Sequence, residues 1–289
     1  MSHSYLPARL LRPLLLVALL LTMPAFAQLN LNPPNPPSEF LDARRQLDGD
    51  TLRVCISADS ILAPIDRAVA RAIGDALLIE IELFELESIR NPPVLDHRMS
   101  LSQTELFTLL NNECQAYAGF VLSSRGIADW LTITRPYLST RSVFASADPE
   151  IASLGDVPAD AKVGTRIGAN VDIRFLDYNL GLPEDQRWRR VPYPNYQFLL
   201  DRLREGELDA ILLWEPSLYV GLDGDPEAEG VHPGSPSPVT VDEQGFGLIL
   251  PQRDGFLRTA LDDAIAFLAE DGTLQEIIDA SGIPGSVPR

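Results

Sequence analysis

The sequence has few cysteines and few basic residues. Only two cysteines, Cys55 and Cys114, occur in 289 residues, and 23 lysines and arginines are set against 41 aspartates and glutamates. The formal net charge of −18 opposes binding to nucleic acids and anionic lipids, because both require basic surfaces. We therefore expect no nucleic-acid partner. The acidity either keeps the protein soluble or attracts a basic protein partner.

The sequence also lacks the short motifs of common enzyme classes. It contains no G-x-S-x-G, no H-E-x-x-H and no G-x-x-x-x-G-K-[ST] segment. These motifs position a nucleophilic serine, a zinc ion and a nucleotide phosphate, respectively. No spacing of carboxylates singles out an acid and base pair. We expect a protein that is not an enzyme and that holds no cofactor and no metal ion.

The first 27 residues have the pattern of a secretory signal peptide. Arg9 and Arg12 form a basic segment, the 12-residue apolar run PLLLVALLLTMP follows, and AFA precedes Gln28. The run is too short to span a bilayer easily, and small residues at this spacing are typical of a cleavage site. The sequence predicts cleavage after Ala27, export to the periplasm and no membrane insertion of the mature protein.

The next segment, residues 28–50, is predicted to be a linker, because NLNPPNPPSEF cannot hold a helix or a β-ladder. Strand and helix periodicities alternate after it. These patterns predict strands at LRVCIS, IELFEL and QAYAGFVL. They predict helices at APIDRAVARAIGDAL and SQTELFTLLNNE. In the first helix Ile65, Val69 and Ile73 share one apolar face, and Ser102 or a neighbour followed by Glu105 predicts a capping box at the start of the second helix. This βαβαβ order predicts a parallel sheet with right-handed crossovers.

The same alternation begins again after residue 146. The pattern predicts strands at AKVGTRIG, RWRRVPYP and LDAILLW. The predicted helices between them are NVDIRFLDYNLG and NYQFLLDRLREGE. SVFASADP and GFGLILPQ remain to connect the two units, and two helices close the chain. We predict a two-lobed α/β protein in which each lobe is a mostly parallel sheet flanked by helices. Lobe 1 comprises residues 51–144 and about 250–289, lobe 2 comprises residues 145–249, and two hinge strands join them.

Three further patterns occur in a fixed order along the chain. They are TITRPYLSTRSVFA at 132–145, L-x-x-G-x-x-D-A at 203–210, and L-x-x-A-L-x-x-A-I-x-x-L-x-x-D-G at 257–272. This order resembles the bacterial extracellular solute-binding proteins of family 3, the amino-acid-binding type, over about residues 51–283. The resemblance implies a type II periplasmic-binding-protein fold that closes on a small polar solute. It also implies an ABC permease as partner, and we expect a monomer.

The resemblance places a ligand site at the mouth of the cleft between the lobes. The residues that it implies are Arg125, Thr132, Thr134 and Tyr137 from lobe 1, and Gly168, Asn170, Trp214 and Glu215 from lobe 2. So many polar groups would be costly in a core without partners, but they suit a polar ligand.

Each of these groups also has a structural interpretation. The backbone N–H groups of Gly168 and Asn170 suit an anion at a helix start, although Asn170 could equally be an N-cap. Trp214 could fill the space between the lobes, and Tyr137 could be a structural corner. The arginines Arg125, Arg135 and Arg141 could pair with acidic residues instead of clamping a carboxylate.

Three departures from the family pattern argue against an ordinary amino-acid ligand. Trp214 replaces the aspartate that grips the substrate ammonium group. Ile127 replaces the arginine that clamps the carboxylate, with Arg125 two residues earlier. The wall after the first strand is shortened to APID. We therefore expect that none of the common amino acids binds.

A narrower resemblance rests on LRVC, EC, LTITRPYLSTRSVF and the Trp214-x-Pro216 step. These are similar to the J-type periplasmic accessory proteins of PQQ-dependent methanol dehydrogenases. This resemblance implies an alternative function, in which the same fold binds a periplasmic quinoprotein dehydrogenase and has no role in transport.

The two cysteines are predicted to form a disulfide across adjacent strands of lobe 1. An isolated pair in an oxidising compartment is more often bridged than free. The alternative is two separately buried thiols.

Overall fold

A computed structural model describes residues 50–87, 101–122 and 127–288. All of them belong to one of the two structural units of the chain, Asn35–Arg289. The predicted signal peptide, all of the predicted linker except Asp50, and Arg125 lie outside the described residues. No helix within the described ranges is long and apolar enough to cross a membrane.

The first sheet contains six strands in two orientations. They are β1 (Thr51–Ser57), β2 (Glu80–Leu86), β3 (Ala116–Val121), β4 (Leu131–Ile133), β5 (Leu138–Thr140) and β11 (Gln244–Pro251). The strand order is β2-β1-β3-β11-β4, and β5 also pairs with β11. β1 is parallel to β2 and β3, as the βαβαβ pattern predicted. β11 is antiparallel to β3, β4 and β5. It comes late in the chain, so the chain returns to this sheet after forming the second sheet, described below.

Within the described residues, four α-helices accompany the first sheet. They are α1 (Ala63–Leu77), α2 (Gln103–Asn112), α6 (Gly255–Glu270) and α7 (Thr273–Ser281). α1 buries Ile65, Val69 and Ile73, the apolar face that the sequence predicted, and packs on α6 and α7. α2 begins with the predicted capping box, in which the Ser102 N–H donates to Glu105 Oε2 at 2.7 Å and the Glu105 N–H donates to Ser102 Oγ at 3.2 Å.

The second sheet contains five strands, and three α-helices accompany it in the described part of the chain. The strands are β6 (Ser142–Ser146), β7 (Lys162–Arg166), β8 (Arg189–Tyr193), β9 (Ala210–Trp214) and β10 (His232–Gly234), in the order β10-β6-β9-β7-β8. The helices are α3 (Asn170–Gly181), α4 (Tyr196–Arg204) and α5 (Glu215–Gly221). β7 is parallel to β8 and β9, and β6 is antiparallel to β9 and β10. The second α/β unit is therefore also present.

Two segments cross between the sheets, and their directions define the geometry of the site. The first crossing lies between β5 and β6 at Arg141, and the second comprises residues 235–243 between β10 and β11. β5 and β3 run in the same direction, because both are antiparallel to β11. β6 begins beside the end of β9, where Ser142 pairs with Trp214. The carboxyl ends of the parallel strands of both sheets therefore meet at the crossings.

A disulfide joins Cys55 in β1 to Cys114 just before β3, with the two Cα atoms 5.7 Å apart. Both cysteines are fully buried, in an apolar cluster with Leu106, Leu110 and Trp130. The predicted disulfide is confirmed, and it lies between neighbouring strands as expected.

Candidate functional site

The candidate site lies where the carboxyl edges of the two sheets meet. In open α/β sheets, ligands bind at the carboxyl ends of parallel strands, because loops and helix starts gather there. The loop after β7 and the end of β9 supply this edge in the second sheet. Of the four lobe 2 residues that the sequence predicted, Gly168 lies in this loop, Asn170 begins α3, Trp214 ends β9 and Glu215 begins α5.

The turn after β7 is held by a buried carboxylate at the start of α3. Asp172 accepts hydrogen bonds from the Gly168 N–H at 2.8 Å and from Thr165 Oγ1 at 2.6 Å. Arg190 binds both of its oxygens, from Nε at 2.6 Å and Nη2 at 2.8 Å. Burial disfavours the charged form of Asp172, but these bonds outweigh burial and lower its pKa. The N-cap of α3 is Ala169, so Asn170 is not the capping residue.

Trp214 ends β9 and connects the two sheets. Its side chain is buried, and its Nε1–H donates to Thr140 Oγ1 in β5 at 2.6 Å. Its ring centroid lies 5.9 Å from that of Phe246 in β11. A buried indole normally finds a hydrogen-bond partner for its N–H, and here the partner belongs to the first sheet. Trp214 thus fills space between the sheets, which is one of the two interpretations that the sequence allowed.

Glu215 follows Trp214 and pairs with Arg141 of the first crossing. Arg141 donates from Nε to Oε2 at 2.8 Å and from Nη2 to Oε1 at 2.9 Å. The Glu215 side chain is only 10% exposed, whereas that of Arg141 is 65% exposed. The hydrogen bonds that Arg141 donates to Glu215 raise the pKa of Arg141. Of the two roles considered for Arg141, the structure shows pairing with an acidic residue.

Two cavities lie beside the Arg141 and Glu215 pair. One has a volume of about 340 Å³ and also contacts Glu243 and residues 284–286. The other has a volume of about 380 Å³ and also contacts Tyr219 and residues 233–236. Both volumes lie within the range of small-molecule sites, roughly 300–1,000 Å³.

Of the predicted lobe 1 residues that the structure describes, Thr132 lies in β4, and Thr134 and Tyr137 lie between β4 and β5. Thr134 is buried, donates to the Arg135 carbonyl at 2.9 Å and accepts from the Leu248 N–H at 3.0 Å. Thr132 is half-buried in β4, opposite Leu250 of β11. The hydroxyl of Thr134 therefore holds β11 against the segment that follows β4.

Tyr137 is fully buried and contacts a carboxylate that the sequence reasoning missed. Its hydroxyl donates to Asp66 Oδ1 at 2.5 Å and accepts from the Gly119 N–H at 2.7 Å. Gly119 has φ +77°, and a Cβ there would lie 2.5 Å from Asp66 Oδ2, so glycine is required. This geometry is the structural corner considered for Tyr137. One signal was available for Asp66, since it stands three and seven residues before the core residues Val69 and Ile73.

Burial raises the pKa of Asp66 to about 7, and neither the Tyr137 hydrogen bond nor the charge of Arg67 compensates for it. Arg67 instead binds Glu85, with two bonds of 2.8 Å. Burial therefore favours the protonated form of this carboxyl group.

The predicted ligand residues fall into three groups. Trp214 and Glu215 lie together with Thr140 and Arg141 at the first crossing. Gly168 and Asn170 lie at the start of α3, and Thr132, Thr134 and Tyr137 lie in β4 or between β4 and β5. Arg125 is outside the described residues. Ligand binding by all eight residues stays a prediction.

Comparisons with known proteins show similarity in structure only. No protein-family model matches the chain, and no curated protein sequence matches it. Solved structures do match. The amino acid ABC transporter substrate-binding protein AbpA from Streptococcus pneumoniae Canada MDR_19A, bound to L-arginine, is 19% identical, with a TM-score of 0.53 over 81% of this chain and 94% of that chain.

Two further structures match at similar levels. An ancestral arginine-binding protein bound to glutamine is 17% identical, with a TM-score of 0.52 over 80% of this chain and 97% of that chain. The GluR0 ligand-binding core with L-glutamate is 14% identical, with a TM-score of 0.54 over 81% and 98%. All three are binding proteins or ligand-binding cores. The chain therefore has the two-lobed, type II periplasmic-binding-protein fold that the sequence predicted.

Proposed function

We propose that this protein is an exported solute-binding protein that closes its two lobes on a small polar solute and delivers it to an ABC-type permease. The observation that carries the proposal is the meeting of the carboxyl edges of both sheets at two crossing segments. Ligands of α/β sheets bind at such edges, and crossing segments absorb the backbone change when lobes close. The transport descriptions of the similar structures support it further.

Export to the periplasm is part of the proposal. The signal-peptide pattern of residues 1–27 supports it, and so does the Cys55–Cys114 bond, because disulfides persist in oxidising compartments. The predicted lobes, residues 51–144 with about 250–289 and residues 145–249, stay part of the proposal, with the two crossings near their boundaries.

A thermal-shift screen of the mature protein tests the function. The library contains amino acids, organic acids, sugars and polyols. A solute at one hundred times its dissociation constant adds about 2.7 kcal/mol to the free energy of unfolding, which raises the melting temperature measurably. We expect at least one solute to do so.

Two variants locate the binding site of any solute found. Asn170→Ala should weaken binding, because Asn170 lies at the carboxyl edge of the second sheet. The matched control is Asn112→Ala. Asn112 is exposed and is the last residue of α2, a helix that accompanies the first sheet. Equal loss of affinity in both variants would argue against a site at the edge, and no shift with any solute would argue against solute binding itself.

The accessory role with a quinoprotein dehydrogenase stays a prediction, since none of the similar structures named above favours it. The accessory role predicts a different result in the same thermal-shift screen. If no solute shifts the melting temperature and a PQQ-dependent dehydrogenase co-purifies from periplasmic extract, the accessory role replaces the transport role.

A further inference from the structure

The cavity of about 340 Å³ beside Arg141, which we name the hinge groove, lies at the two crossings. Ser139 and Thr140 belong to β5, Arg141 is the first crossing, and Glu243 belongs to the second. Glu215 follows the last strand residue of β9, and residues 284–286 form the remaining wall.

The charges around the hinge groove do not cancel. Arg141 and Glu215 neutralise each other through two hydrogen bonds of 2.8 and 2.9 Å. Glu243 is exposed, and its Oε2 accepts a hydrogen bond from the uncharged Ser139 hydroxyl at 2.8 Å. These three ionisable groups therefore carry one net negative charge. The net charge of −18 on the whole chain adds a field of the same sign.

The two carboxylates of the groove also keep capacity to accept hydrogen bonds. Each carboxylate oxygen has two lone pairs, so Glu215 and Glu243 retain acceptor sites beyond the bonds that they already accept. The Thr140 hydroxyl oxygen already accepts from Trp214. An ammonium group carries three N–H donors and no acceptor, and it complements such a lining.

We propose that the hinge groove binds a small organic cation, with an ammonium group beside Glu243 and Glu215. A carboxylate on the ligand would be repelled by Glu243, so the cation carries none. The cavity of about 380 Å³ on the Tyr219 side of the same ion pair provides a contrast. No carboxylate other than Glu215 lines it within the described part of the chain, and it should not select cations.

A set of four-carbon probes tests the charge preference directly. The probes are 4-amino-1-butanol, 1,4-butanediol, γ-aminobutyrate and 4-hydroxybutyrate, which differ only in their end groups. Isothermal titration calorimetry at low ionic strength measures binding to the mature protein. We expect 4-amino-1-butanol to bind at least about tenfold more tightly than the other three probes, the order of magnitude of a hydrogen bond to a charged group.

Two variants that each remove one negative charge distinguish binding by the groove from attraction by the net charge of the whole protein. Glu243→Gln removes one negative charge at the groove and should weaken 4-amino-1-butanol at least about tenfold. Glu270→Gln removes the same charge at an exposed position near the end of α6 and should change the affinity little. Similar losses in both variants would overturn the proposal, because the binding would then follow the overall charge alone.

The remaining outcomes are equally decisive. Equal binding of the diol, preference for 4-hydroxybutyrate, or no binding of any probe overturns the inference. The inference does not rest on the proposed transport function. A solute in the cleft should respond to Asn170→Ala and not to Glu243→Gln, so each proposal can fail without the other.

Discussion

Two buried aspartates occupy corresponding places in the two halves of the fold. Asp66 lies in the first turn of α1, which follows β1, and Asp172 lies in the first turn of α3, which follows β7. They are 1% and 3% exposed, respectively. Their pKa values nevertheless shift in opposite directions, to about 7 for Asp66 and below the usual value for Asp172.

The partners of the two carboxylates explain the difference. Asp172 accepts two hydrogen bonds from Arg190 and one each from Thr165 and Gly168. Asp66 has the neutral hydroxyl of Tyr137, and the neighbouring Arg67 is held by Glu85. Burial favours the neutral acid unless a cation or several donors face the charge. A buried carboxylate at a helix start can therefore remain charged or take up a proton, and its neighbours decide which.

The largest expected effect comes from removing the ionisable group at Asp66. A carboxyl whose pKa is raised by folding stabilises the folded state fully below its unfolded pKa of about 3.8, and this contribution is lost as pH rises to about 7. Between these limits, wild type should lose on the order of 4 kcal/mol in the free energy of unfolding relative to Asp66→Asn. Urea unfolding from pH 4 to pH 8 measures this difference.

The control for Asp66→Asn is Asp75→Asn, at an exposed position on the same helix. It should keep the pH dependence of wild type. If Asp66→Asn keeps that dependence too, then Asp66 titrates normally and the contrast with Asp172 is wrong.

The next effect comes from removing the cation at Asp172. Arg190→Met leaves a buried carboxylate with neutral donors only, as at Asp66. Breaking a buried ion pair from one side costs about 3 kcal/mol, at the low end of the range because the Arg190 side chain is partly exposed. Urea unfolding at pH 7 should show this loss, and the loss should shrink towards pH 4 as Asp172 takes up a proton.

Arg189→Met is the matched control, because Arg189 binds the exposed residue Asp160, and this substitution should destabilise the protein much less than Arg190→Met does. Equal destabilisation by the two substitutions would mean that burial of the pair has no influence.

The smallest expected effect concerns ligands with an ammonium group next to a carboxylate. An ammonium group needs a carboxylate partner. Beside the second sheet, Asp172 already binds Arg190, Glu215 already binds Arg141, and the buried Trp214 ends β9. We predict that none of the common amino acids raises the melting temperature. A thermal-shift series at millimolar concentrations checks this, and a clear shift with any of them would restore the amino-acid transport reading.

Local patterns predicted much of the fold. The spacing of Ile65, Val69 and Ile73 predicted α1, Ser102 and Glu105 predicted the cap of α2, and the isolated cysteines predicted the disulfide. These features depend on residues close in sequence or on chemistry with few alternatives. β10 was not predicted, because the short segment His232–Gly234 has no strand periodicity and pairs only through its position beside β6.

The site was harder to predict because its contacts are long-range. Tyr137 and Asp66 are 71 residues apart, and Trp214 and Thr140 are 74 residues apart. The family resemblance implied Trp214, Glu215 and Tyr137 as ligand residues. It could not show that these side chains bind other parts of the chain, because that depends on how the two sheets are placed at the crossings.

The position of Trp214 gives the protein a built-in optical reporter. Trp130 packs on Phe107 in the first half, and Trp188 packs beside Phe175 and Tyr178 in the second. Trp214 contacts Thr140 and Phe246 across the sheets and is 2% exposed. In a Trp130→Phe, Trp188→Phe background its emission is the only indole signal. A red shift of that emission would then record the lobes separating, and a blue-shifted, unquenched spectrum would record them together, without any attached dye.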